Sequence, residues 1–189
     1  MRKGMVIHHT GFVCSKISEA EQIKIAGKIF QDKYTYHYIF TRCGTILQGH
    51  DLTEIVGHAA NQKLPGDIDI INREYIGIAM MGNFKEESWT LSQLFCISYI
   101  YQSLTKTRKL GNEIKLHSEI SYTECPGSLT KQIISPFLKM DYRELLPYTT
   151  KECIQQGGTV YVQARLPEKL GLVSTTLWQA NEKKIIYFR

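Results

Sequence analysis

The chain has 189 residues, 43% hydrophobic and 22% charged, which is the balance of a soluble globular protein able to bury one sizeable core. Its net charge of +5 and pI near 8.9 favour an anionic partner such as nucleic acid, acidic lipid or an anionic polymer. The basic residues are scattered with no run of five, which argues against a nucleic-acid arm, and no apolar run approaches the ~18 residues that cross a membrane.

Met1 to His9 runs straight into a strand-like segment, with no apolar stretch and cleavage site of a secretory signal. The expectation is synthesis in a cytosol, with work there or release by another factor. The cysteines are Cys14, Cys43, Cys96, Cys125 and Cys153. Their odd number and irregular spacing do not form a disulfide framework, so most are expected reduced and partly buried. A Cys14–Cys43 bridge stays open.

Met5 to Ile7 reads as a short buried strand that ends at His8-His9. Ser18 and Glu21 form a capping-box pattern, and Ile23, Ala26 and Phe30 follow at helical spacing, so a helix is predicted over 19–31. Tyr36 to Phe40 is aromatic and β-branched and reads as a strand. Cys43-Gly44-Thr45 supplies a turn and Ile46-Leu47-Gln48 the returning strand. Residues 57–74 read as a loop. Tyr75 to Met81 is a nearly continuous apolar run, as in a central strand buried on both faces.

Thr90-Leu91-Ser92-Gln93 is a second capping box, and the apolar spacing that follows predicts a helix over 91–106. Ile114-Lys115-Leu116 reads as a short strand leading to His117. A last helix from Ser128 to Ile134 is expected to stop at Pro136. Strands and helices around one apolar run predict an α/β fold, a mixed central sheet flanked by helices. The character changes after Pro147. The expected organisation is a catalytic domain over 1–147 and a C-terminal extension or small cell-wall-binding module over 148–189. That extension is expected to hold a strand over 159–162 and a helix near 175–181.

The chemistry-bearing stretch is Leu116 to Gly127, in which His117 and Cys125 stand eight residues apart before a Pro-Gly turn. Imidazole nitrogen and thiolate sulfur both suit Zn²⁺, and a catalytic zinc site takes three protein ligands with one position left for water. The third ligand is sought at the other end of the chain, in His8 at the strand end. A structural zinc would need a fourth ligand, and His9, His37, His50 and His58 could supply one in space.

Five blocks occur together in order: Val6-Ile7-His8-His9-Thr10; Tyr36 to Phe40 with Cys43-Gly44-Thr45; Gly57-His58-Ala59; Tyr75 to Ile78 with Met81-Gly82-Asn83-Phe84; and His117-Ser118-Glu119 with Thr123 to Gly127. Together, over about residues 4–137, they resemble the zinc-dependent N-acetylmuramoyl-L-alanine amidases. That group includes phage lysozyme-type amidases and the peptidoglycan recognition proteins.

The resemblance implies that His8, rather than His9, binds Zn²⁺ with His117 and Cys125. It implies Tyr36 as catalytic tyrosine and Thr123 as its partner beside the last ligand. It places His58 on the substrate groove, with His37 a second substrate-binding candidate. One branch of the family carries a carboxylate on the central strand where this chain has Ala79, so the resemblance leaves the general base unassigned. The implied activity is hydrolysis of the bond between N-acetylmuramic acid and L-alanine in peptidoglycan, as in an endolysin or a cytosolic recycling enzyme. The implied alternative is a peptidoglycan-binding protein without turnover. Retention of Cys125 favours the enzyme.

Overall fold

The computed structural model describes residues 1–33, 35–59, 68–139 and the strand segments 153–156, 159–165, 175–179 and 185–187. Its elements are β1 (Arg2–His9), α1 (Glu19–Lys33), β2 (Tyr38–Phe40), β3 (Ile46–Gln48), α2 (Ile68–Glu74), β4 (Tyr75–Met80), α3 (Leu91–Lys106), β5 (Leu110–Leu116), α4 (His117–Ile120) and α5 (Thr130–Lys139). β6 (Cys153–Gln156), β7 (Thr159–Arg165), β8 (Thr175–Gln179) and β9 (Ile185–Tyr187) follow. The main sheet has the order β5-β1-β4-β2-β3-β9, and β6-β7-β8 form a second sheet. β5, β1, β4 and β2 run parallel; β3 turns back as the antiparallel partner of β2, and β9 pairs parallel with β3. The sheet is therefore mixed, and helices cover it.

All six residues of β4 are buried, as expected of a strand covered on both faces. Successive side chains alternate between those faces. Ile76, Ile78 and Met80 join Met5, Ile7 and Phe40 in the larger cluster, under Leu94, Phe95 and Ile97 of α3 and Ile134 and Phe137 of α5. Ala79 and Met81 face the other way, with Ala26, Ile29 and Phe30 of α1. The same alternation puts Val6 and His8 of β1 on the face opposite Met5 and Ile7. Thus His8 lies at the C-terminal end of β1, and its register partner on β4 is Ala79.

The cap of α3 matches its sequence signal: Thr90 Oγ1 accepts from the Gln93 backbone N–H, and the Gln93 side chain returns to the Thr90 N–H. At α1, Ser18 Oγ accepts from the Glu21 N–H at 3.3 Å. Among the described residues, no helix is long and apolar enough to cross a membrane.

Several expectations are corrected. The loop expected over 57–74 ends in a helix, α2, because Ile71 packs with Val6 and Tyr75 while Asn72 bonds to the preceding loop. α5 does not stop at Pro136 but runs through it to Lys139. Ile134 and Phe137 are both buried there, and the Ser135 hydroxyl donates to the Lys131 carbonyl at 2.6 Å. The helix expected near 175–181 is strand β8 over its first five positions. Cys14 and Cys43 are both free thiols, so they form no bridge. The expected domain boundary at 147/148 lies outside the described residues.

Candidate metal centre

Three elements converge at the C-terminal end of β1. β1 delivers His8, and α4 opens on His117 directly after β5. The Thr123–Gly127 loop brings Cys125 back against β1. One donor atom from each of His8, His117 and Cys125 lies within 4.8 Å of the others. This is the one such group of possible metal ligands among the described residues. The rings of His8 and His117 are 4.4 Å apart between centroids. His8 is fully buried, Cys125 buried and His117 half-buried.

Local hydrogen bonds hold the loop. The Cys125 Sγ accepts from the His9 backbone N–H at 3.2 Å. The Ser118 N–H donates to the Cys125 carbonyl at 2.8 Å, and the Gly127 N–H to Glu124 O at 2.7 Å. Thr123 Oγ1 accepts from the Cys125 N–H at 3.1 Å, which leaves its hydroxyl hydrogen to donate. Gly127 has φ +115°, and a Cβ there would stand 2.9 Å from the Phe84 carbonyl oxygen, so only glycine fits this turn.

The donor set suits a borderline cation: two imidazoles and one thiol. Nδ1 of His8 and Nε2 of His117 are buried and have no hydrogen-bond partner. Buried polar atoms are nearly always paired, so two orphaned nitrogens beside one thiol fit a metal that would take their lone pairs. Burial holds His8 well below the ordinary histidine pKa, with lesser contributions from His58, His117 and His9. Burial, then His9, lowers His117 to about 4. Both rings are therefore neutral at pH 7, the form that can bind a metal. Burial pushes the Cys125 thiol up to about 12 in the metal-free protein, with the His9 N–H opposing.

The other histidines stay out of the cluster. His9 Nδ1 accepts from the Phe84 N–H at 3.2 Å. His50 stands 3.5 Å from Glu54. His37 is fully buried; its Nδ1 accepts from the Gly77 N–H at 3.0 Å and its Nε2 meets Glu54 O at 3.1 Å. The structure thus places His37 in the core, with both nitrogens spent on backbone. His58 is also buried, 5% exposed, with its Nδ1 3.2 Å from Nε2 of His8. It stands behind a candidate ligand. Among the described residues, the cluster thus holds three donors and no fourth histidine.

Tyr36 lies beside the centre, its ring 5.0 Å from that of His8. It precedes β2 and has φ 62°, the left-handed region that an aromatic residue seldom enters. Such a backbone costs on the order of 1–2 kcal/mol. Burial first, then nearby Cys125, raises its pKa far above the ordinary phenol, so the hydroxyl stays protonated. Thr123 is half-buried, two residues before Cys125. The nearby carboxylates are engaged elsewhere: Glu119 takes the Leu116 N–H at 2.8 Å and Lys131 at 2.5 Å, and Glu124 pairs with Lys85. A cavity of about 470 Å³ lies alongside, lined by Phe84, Lys85, Ser118, Glu124 and Leu129. A larger cleft of about 1020 Å³, with Arg2, Asp51, Arg73 and Arg108 in its wall, sits at the opposite end of β1, away from the donors.

A sequence profile of the N-acetylmuramoyl-L-alanine amidases matches residues 2–128, a span that contains all of these groups. The chain belongs to the N-acetylmuramoyl-L-alanine amidase family. Among solved structures, it is similar to the amidase LysC from Clostridium intestinale URNW, with 26% identity and a TM-score of 0.55. That match covers 74% of this chain and 86% of LysC. The bumblebee peptidoglycan recognition protein PGRP-SA shares the fold at 21% identity and TM-score 0.58, over 71% of this chain and 81% of its own. So does peptidoglycan recognition protein LE, solved with tracheal cytotoxin, a monomeric diaminopimelic acid-type peptidoglycan, at 19% identity and TM-score 0.53, over 67% and 74%. No curated protein matches the chain.

Proposed function

We propose that this amidase-family chain binds peptidoglycan and hydrolyses the amide between the lactyl group of N-acetylmuramic acid and L-alanine, with Zn²⁺ held by His8, His117 and Cys125. The observation that carries the reading is the three-donor cluster with its two orphaned imidazole nitrogens. The amidase domain is taken as 1–147, with 148–189 as an extension.

When bound at such a site, Zn²⁺ lowers the pKa of water toward neutrality and polarises a carbonyl. The chain's own residues supply the rest. Amide hydrolysis builds negative charge on the carbonyl oxygen, which needs donors aimed at it. The Tyr36 hydroxyl, kept protonated by its burial, is one donor, and the Thr123 hydroxyl is the second. The left-handed backbone at Tyr36 holds the ring beside His8 without waiting for substrate. The 470 Å³ cavity offers the stem peptide the Lys85–Glu124 ion pair and apolar contact at Phe84 and Leu129.

Recognition without turnover is the second reading. Its support is the lack of a carboxylate on β4, where Ala79 stands beside His8. Purified peptidoglycan incubated with zinc-loaded protein separates the two. Freed L-alanine amino termini, absent with Cys125→Ala, are expected. Peptidoglycan binding without such termini would favour recognition.

A further inference from the structure

His58 supplies none of the three candidate donors, yet its contacts determine what His8 can do. Its Nε2 lies 3.2 Å from the Tyr75 carbonyl oxygen, and its Nδ1 lies 3.2 Å from Nε2 of His8. A carbonyl only accepts, so Nε2 of His58 carries a hydrogen. Both rings are buried, at 5% and 0% exposure, and burial disfavours a second proton on either. His58 Nδ1 is therefore a lone pair, and His8 must donate to it from Nε2. That uses the one hydrogen of His8. Its Nδ1 is left as a bare lone pair, and this is the atom that has no partner.

We propose that His58 is a positioning residue: under the control of the Tyr75 carbonyl it fixes His8 in the tautomer that leaves Nδ1 as the metal-ligand atom. The proposal rests on the metal-site reading above and adds a second layer to it. Metal-bound histidines commonly donate their other N–H to a carboxylate, carbonyl or water, which sets tautomer and ring orientation. Here a neutral histidine takes that place, itself oriented by a backbone carbonyl.

The surroundings are built for this ring. The rings of His8 and His58 meet edge to face, 5.3 Å apart at 82°. Gly77 of β4 lies under His58, and a Cβ there would stand 2.5 Å from Cγ and 2.7 Å from Cβ of His58. The backbone around His58 is clamped by buried Asn72 of α2. Its Oδ1 accepts from the N–H groups of His58 and Ala59 at 3.2 and 2.9 Å, and its Nδ2 donates to Ala59 O at 3.3 Å. The glycine, the asparagine and the carbonyl all serve one ring orientation.

The test has two parts. In the metal-free wild type, long-range ¹H–¹⁵N spectra of histidine should give His8 as the Nε2–H tautomer. Zinc dissociation constants are then measured for the wild type, His58→Leu and His58→Asn. The leucine removes the acceptor, and affinity should fall about 10–100-fold, the range seen when an outer partner of a metal-bound histidine is lost. The asparagine can put Oδ1 where Nδ1 stands and should recover most of that loss. His8 protonated at Nδ1 would overturn the proposal, and so would equal affinities in the two variants. The wild-type spectrum decides even where His58→Leu fails to fold. A wild type that takes up no zinc, while His8 is the Nε2–H tautomer, would overturn the metal reading and with it the purpose assigned to His58.

Discussion

The backbone N–H of His9 donates to Sγ of Cys125 at 3.2 Å, joining positions 116 residues apart. The strand that carries one candidate ligand therefore also holds the loop that carries another. His117 is tied in through its neighbour, because the Ser118 N–H donates to the Cys125 carbonyl. The Ser118–Cys125 tie is backbone to backbone and survives a change of the Cys125 side chain, whereas the His9 bond to Sγ does not.

Gly127→Ala tests how this loop is held. The alanine meets φ +115° and a carbonyl oxygen at 2.9 Å, and strain of this kind costs roughly 1–3 kcal/mol. Urea unfolding should show the loss, and zinc affinity should fall as the Cys125 loop shifts. Unchanged stability and affinity would mean that this turn does not set the position of Cys125.

Tyr36→Phe removes a donor and keeps the ring. Loss of one oxyanion donor typically costs about 100-fold or more in rate. The expected outcome is that fall in kcat with zinc content unchanged. An active phenylalanine variant would remove Tyr36 from the chemistry and leave its left-handed backbone without a functional reason.

His37 makes stability depend on pH. Burial first, then Arg2, lowers its pKa from 6.5 to about 4. A lowered histidine is neutral in the fold, so the unfolded chain takes up the proton first as pH falls. Its contribution is full above pH 6.5 and is lost between 6.5 and about 4. The loss amounts to about 3 kcal/mol for a shift of this size. Denaturant unfolding of the metal-free protein across that window should show it. His37→Asn, whose amide oxygen can accept the Gly77 N–H in place of Nδ1, should make the curve shallower by this one group's share, while the lowered His8, His58 and His117 keep the rest of the slope.

Pro136→Ala is expected to stabilise the protein by up to about 3 kcal/mol, because an interior proline removes one helical hydrogen bond and crowds the preceding turn. A proline is a strong local stop signal, and here two buried side chains, Ile134 and Phe137, outweigh it. A lower melting temperature in the alanine variant would show that the proline is favoured at this position.

What was legible in the sequence was what has a period or a cap. The apolar run of β4, the Thr90–Gln93 box of α3 and the paired strands around Gly44 all survive in the structure. α2 was hidden because it has seven residues, less than two full turns, and mixes Asp, Asn and Arg with its isoleucines. The donors were legible as residue types, and their convergence follows from β1 and β5 lying side by side. The roles of the other histidines were not. His37 and His58 are both buried polar rings, and only their partners distinguish a core histidine from one that aligns His8. Tyr36 looked like a strand residue because its aromatic neighbours favour strands, and nothing in its identity signals a positive φ.

Metal content tests the central claim most directly. Purified protein equilibrated with zinc and dialysed should hold about one ion per chain, as a three-ligand catalytic site requires. His8→Ala, His117→Ala and Cys125→Ala should each bring that to near zero while the fold persists by circular dichroism. Zinc retained in full by His8→Ala, or absent from the wild type, would contradict the assignment of this centre.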